Sequence, residues 1–240
     1  MTEIQQVPAT ATATVATTTT ATVAEHANAN AGTLTDSARR TALWKRRLFE
    51  AEAGLTRFLV EARAGVHMQE LLKVKHDIFE SLPEGEEEQE WKAAFFRGQA
   101  LMEKFVVGHF GLGDLAAWAM SNSTIYAAVD PGPKHDAVIP LERLNAQADL
   151  YDSDTEWVEH DADRAVLRIR HCAIWDYREL ARKRGVTITL RSPCEYCVPA
   201  TTGMITNKGL SATHELTEDQ SGKGCVWTTS RSVSRPAEGH

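Results

Sequence analysis

His171-Cys172, then Cys194-Glu195-Tyr196-Cys197, then Ala212-Thr213-His214-Glu215-Leu216, then Gly222-Lys223-Gly224-Cys225-Val226-Trp227: this stretch holds all four cysteines of the 240-residue chain. A Cys-x-x-Cys pair places two soft ligands close enough to clamp one ion, and Cys and His are the usual ligands of zinc. The glycines before Cys225 predict a tight turn feeding a strand, which can return a third thiolate to the same place. His214 and Glu215 stand between, with either able to complete a four-ligand set.

Working outward, the period of the chain changes around this stretch. Ala165, Leu167 and Ile169 alternate with Arg168 and Arg170, which predicts a strand with one wet face. With 155–160 and the polar turn Asp161-Ala162-Asp163-Arg164 it reads as a hairpin. A helix over 173–184 ending at Gly185, a strand over 186–190, a Cys-x-x-Cys turn opened by Pro193, a helix over 201–207 and two closing strands (210–216, 224–230) follow. Upstream, three- and four-residue spacing predicts helices from Asp36 through Trp44, Leu48, Leu55 and Phe58, over 67–81, over 91–107, from Asp114 to about Val129, and a short one at Pro140. The expected fold class is therefore α+β, with an N-terminal helical half packed on a compact C-terminal α+β half. Asp130-Pro131-Gly132-Pro133 marks the boundary, giving a helical region over 33–135 and an α+β region over 136–232. Residues 1–32, nearly all Ala, Thr and Val, read as a disordered low-complexity tail, and 233–240 as a second tail.

A formal net charge of −7 argues against a general nucleic-acid binder. Basic runs such as Lys45-Arg46-Arg47 lie on predicted helices and read as solvated faces. No apolar run approaches the roughly 20 residues that span a bilayer, and the first residues do not form a secretory signal. Cytoplasmic localisation is the expectation, with reduced thiols rather than disulfides. The expected partner is a small molecule, without nucleic acid or membrane, and a homodimer is possible.

Arg170-His171-Cys172-Ala173-Ile174, a helix, Cys194, Gly203 and a glycine-led Cys225 together resemble L-2-amino-thiazoline-4-carboxylic acid hydrolase-like proteins. The C-terminal half of those proteins is similar to the 4-vinyl reductase domain, a small-molecule-binding α+β fold. The resemblance covers roughly residues 155–230. In phenol-sensing members of the wider group a zinc ion is held by a Cys before a helix, a Glu-x-x-Cys and a last Cys. Carried over, Cys194 matches the first ligand, Glu215 the glutamate and Cys225 the last cysteine, while Gly203 matches a helix glycine. The family's third ligand falls on Glu218, and Cys197 or His214 is left to replace it.

These readings leave a zinc site of Cys194, Cys197, Cys225 and either Glu215 or His214, structural if closed and catalytic if one position is open. A second reading makes Cys172 a nucleophile whose pKa is lowered at a helix N-terminus, with His214 or Glu215 relaying protons. A third leaves buried cysteines with no metal. The expected function is a hydrolase- or cyclase-type enzyme of bacterial specialised metabolism, acting on a non-peptide C–N bond of a nitrogen- or sulfur-containing compound. The alternative is a small-molecule binding or sensory module with a structural zinc. The expected substrate pocket uses His109, Asp114, Trp118 and Trp175, with Trp91, Tyr126 and Trp227 nearby.

Overall fold

In the computed structural model the residues described are 35–129, 132–185, 188–220 and 222–231. The two expected tails lie almost wholly outside them. Helix α1 (Asp36–Arg57) buries Trp44, Leu48, Ala51 and Leu55, the stripe its spacing predicts, and passes into one π-helical turn, Phe58–Ala62. Ala64, Gly65 and His67 take positive φ and reverse the chain. Helix α2 (Met68–Phe79) follows, then α3 (Glu88–Phe110), whose first turn carries Glu88 and Glu90 against the positive helix end. Gly111, at φ 91°, stops α3 before α4 (Asp114–Val129) and α5 (Val138–Leu150).

The sheet is β1 (Asp154–His160), β2 (Arg164–His171), β3 (Leu210–Asp219) and β4 (Gly222–Arg231), in the order β1-β2-β4-β3 and antiparallel throughout. Helices α6 (Ala173–Lys183) and α7 (Cys194–Thr206) lie between β2 and β3 in sequence. The chain is α+β, with the helices leading and the sheet in the C-terminal part.

Two apolar clusters hold it together. One joins α1 to α4 around Trp44, Phe95, Met102, Val106 and Trp118 and takes in Tyr151 and Leu190. The other packs Leu141 and Leu144 of α5 and Met204 and Ile205 of α7 on Leu167, Ile169 and Trp227 of the sheet. Helix α7 presses closely on α4: a Cβ on Gly203 would stand 2.8 Å from Ser123 Cβ and from Met120 Sδ.

Two local expectations are corrected. Residues 188–190 are not a strand and pair with none of β1 to β4, and 186–187 lie outside the described residues. The Cys-x-x-Cys motif is not a turn but the opening of α7, which tolerates Pro193 at its start and carries Pro199 inside. The closing strand expected over 224–230 is β4: Gly222, at φ 120°, follows the β3–β4 connection, and a Cβ on Gly224 would come within 2.8 Å of Arg170 O.

Candidate functional site

Each cysteine is placed by a different local device. Cys172 follows the last residue of β2 and is the N-cap of α6, and its N–H donates to Lys223 O of β4 at 2.8 Å. Cys194 and Cys197 sit three residues apart on α7, so they share a helix face. Ser192 starts that helix as half of a capping box: its Oγ accepts from Cys194 N at 3.0 Å, and its N–H donates to Glu195 Oε1 at 3.2 Å. Cys225 lies on β4, opposite Ile169 of β2 and Leu216 of β3.

The fold brings all four to one place. Cys172, Cys194, Cys197 and Cys225 line one small space of about 40 Å³, together with His214 and Trp175. That volume holds an ion or a water and is too small for an organic substrate. All four are free thiols. Burial raises the pKa of Cys172, and the neighbouring Cys194 adds to it; the helix N–H groups of Ile174 and Trp175 pull the other way and lose. Cys197 is pushed up to about 12 by burial first and by Cys172 next. Cys225 is raised further, by burial and then by Cys197, Cys172 and Cys194. The expected lowered pKa of Cys172 is therefore corrected: a thiol desolvated among other thiols does not ionise readily, whatever the helix dipole offers.

His214 lies on the same side of β3, its ring centroid 4.5 Å from that of Trp227, and burial lowers its pKa. Glu215 is its strand neighbour and so faces the other way, exposed, as is Glu218. Glu215 is thus corrected as a ligand and as a proton relay: strand alternation carries it away from the cysteines. Cys172 was not expected as a ligand and joins the thiol set instead. The donor types suit zinc. As the side chains stand, no three of the described His, Cys, Asp and Glu residues are arranged to hold a metal ion.

The expected pocket residues are dispersed. Trp175 lines the thiol space, with Lys223 Nζ 4.5 Å above its ring. Trp118 is 0% exposed and packs on Tyr196 at 4.9 Å, a core residue. Asp114 pairs with Arg63, and exposed His109 stacks on His67 at 4.4 Å, both at the α3–α4 corner away from the cysteines. Trp91 and Trp227 are core, whereas Tyr126 does border open space.

That space is a cavity of about 800 Å³ among α1, α3, α6 and α7, walled by Phe95, Phe96, Tyr151, Ile174, Leu180 and Ala200 among others. Its size suits a small organic ligand. Tyr151, Ile174, Pro193 and Cys197 border both this cavity and the thiol space, so the two are adjacent. Arg47, from the run expected to be a solvated face, borders it too. No feature of the local sequence marks Arg47 out, because its enclosure depends on Tyr126, Tyr151 and Phe95 arriving from other elements.

No protein-family model and no curated protein matches the chain. Two solved structures do: the Fe(II) unliganded H-NOX protein from K. algicida, 12% identical with a TM-score of 0.35, and a point mutant of it, 10% identical with a TM-score of 0.36. The first match covers 79% of this chain and 99% of the other, the second 76% and 97%. A likeness at that level carries no argument about fold or activity. Among the described residues no helix is long and apolar enough to cross a membrane.

Proposed function

We propose that the protein is a small-molecule binding module, with the organic ligand in the large cavity and a zinc ion among the four thiols serving stability. The observation that carries this reading is the division of labour between two adjoining spaces: about 800 Å³ with an aromatic and apolar wall, and about 40 Å³ ringed by thiols. Zinc would be held by Cys172, Cys194, Cys197 and Cys225, with His214 as the alternative fourth donor. When bound, it supplies a positive charge that favours the ionised thiols, reversing the effect of burial. The residues themselves would tie the start of α6, the first turns of α7 and strand β4 to one point.

A second reading keeps the hydrolase or cyclase acting on a C–N bond, because Cys172 and His214 share the thiol space. The raised Cys172 pKa and the outward position of Glu215 weigh against it. The experiment is to assay metal content, then screen small organic molecules for thermal stabilisation and turnover. Stabilisation of the zinc-loaded protein without turnover of any molecule in the screen is the expected result. Turnover abolished by Cys172→Ala with metal content intact would establish the enzyme instead.

A further inference from the structure

Net charge and cavity charge disagree in sign. The whole chain carries −7, yet the cavity is bordered by Arg47, Arg97, Lys104, Arg178 and Arg184 against Glu103 as the one carboxylate among the described residues. Burial raises the pKa of Glu103, against the opposing pull of Arg178 and Gln99. Arg97, Lys104 and Arg184 are exposed at the cavity rim, where like charges steer an oppositely charged solute inward. Arg47 is the inner member of the set.

Among the described residues no carboxylate is bonded to Arg47: Glu50 acts on it through its charge alone, and Tyr151 is its hydrogen-bond partner. The guanidinium lies over the rings of Phe95, at 5.2 Å, and Tyr151, at 5.1 Å. Its Nε is enclosed and has no hydrogen-bond partner. Glu50, three residues along α1, is already engaged by Arg46 at 2.7 Å and by Arg143. Tyr126 and Tyr151 complete the surroundings, each with one O–H that can donate to an anion, whereas the Tyr196 hydroxyl is engaged with Tyr126 and Asn122. A guanidinium that borders the cavity against aromatic faces, with no carboxylate bonded to it, suits one carboxylate head. A phosphate head would call for more than one inner cation.

We propose that the ligand is an organic monocarboxylic acid, its carboxylate on Arg47 with Tyr151 beside it and its apolar body along Phe95, Phe96 and Leu180. This rests on the reading of the large cavity as the ligand site. Binding is driven by burial of the apolar body, and Arg47 selects the acid over a neutral isostere, because an unpaired buried cation is left behind when the head is uncharged.

The test uses isothermal titration of the full chain with two matched pairs, naphthalene-2-carboxylate with naphthalene-2-carboxamide and octanoate with octanamide. At least one acid is expected to bind about tenfold or more tighter than its amide. In Arg47→Met, whose side chain has similar length and no charge, that ratio falls to about twofold or less while the amide still binds. Equal affinity for acid and amide in the wild type, or a preference that survives Arg47→Met, overturns the carboxylate assignment and leaves the cavity reading standing. Failure of all four probes to bind removes the cavity reading and this inference with it. Should Arg47→Met not fold, Arg47→Lys keeps the charge without the planar fork: a several-fold weaker acid preference is expected, and an unchanged one is contrary.

Discussion

Single residues carry most of the chemistry here, and their environments decide what they can do. Cys172, Cys197 and Cys225 are held protonated by burial and by one another, so in the metal-free protein they should be poor nucleophiles at neutral pH. Alkylation by iodoacetamide, followed by mass spectrometry of the peptides, is expected to be at least about a hundredfold slower at these three than in the unfolded chain. Labelling of Cys172 as fast as in the unfolded chain would restore the nucleophile reading. Glu103 gives a second case. Its folded pKa lies above the ordinary carboxylate value, so the folded state holds its proton more tightly than the unfolded chain does. That contribution is complete below the ordinary value and is lost as pH rises through the folded one. Glu103→Gln should therefore raise the thermal midpoint at neutral pH and change little below about pH 4. A fall in the midpoint at neutral pH would instead show that pairing with Arg178 outweighs burial.

At the scale of elements, periodicity was a good guide where one side of a helix or strand faces a core. Trp44, Leu48 and Leu55 in α1, and Leu167 and Ile169 in β2, are legible because burial repeats with the element's own period. The segment before Pro193 misled for the opposite reason: β-branched residues fit a strand, but a strand exists only if another offers its edge. The Cys-x-x-Cys spacing is readable in the sequence, whereas its place on α7 depends on the Ser192–Glu195 capping box, whose pattern also stands in the sequence. Gly203 is explained by contact. Gly203→Ala would drive a methyl into Ser123 and Met120, and is expected to destabilise by about 1–3 kcal/mol in denaturant unfolding. A loss below about 0.5 kcal/mol would mean that α4 and α7 can separate freely.

The whole molecule sets what neither residues nor elements reveal. Cys172, Cys194, Cys197 and Cys225 meet because the sheet order β1-β2-β4-β3 lays β4 against β2, and α6 begins where β2 ends. Sequence spacing suggested three thiols together and could not foresee the fourth, since Cys172 and Cys225 approach only through that crossover. The same limit hid Arg47: a basic run on an amphipathic helix reads as solvent-facing until other helices close over it. Two adjoining spaces result, one of about 40 Å³ bordered by the thiols and one of about 800 Å³ with an aromatic and apolar wall. Native mass spectrometry of the protein, purified without chelators and then supplied with zinc, tests the ion half of this account most directly. The predicted result is the chain mass plus one zinc, an adduct lost in Cys225→Ser. A bare chain mass after zinc addition, with the fold intact, would contradict it.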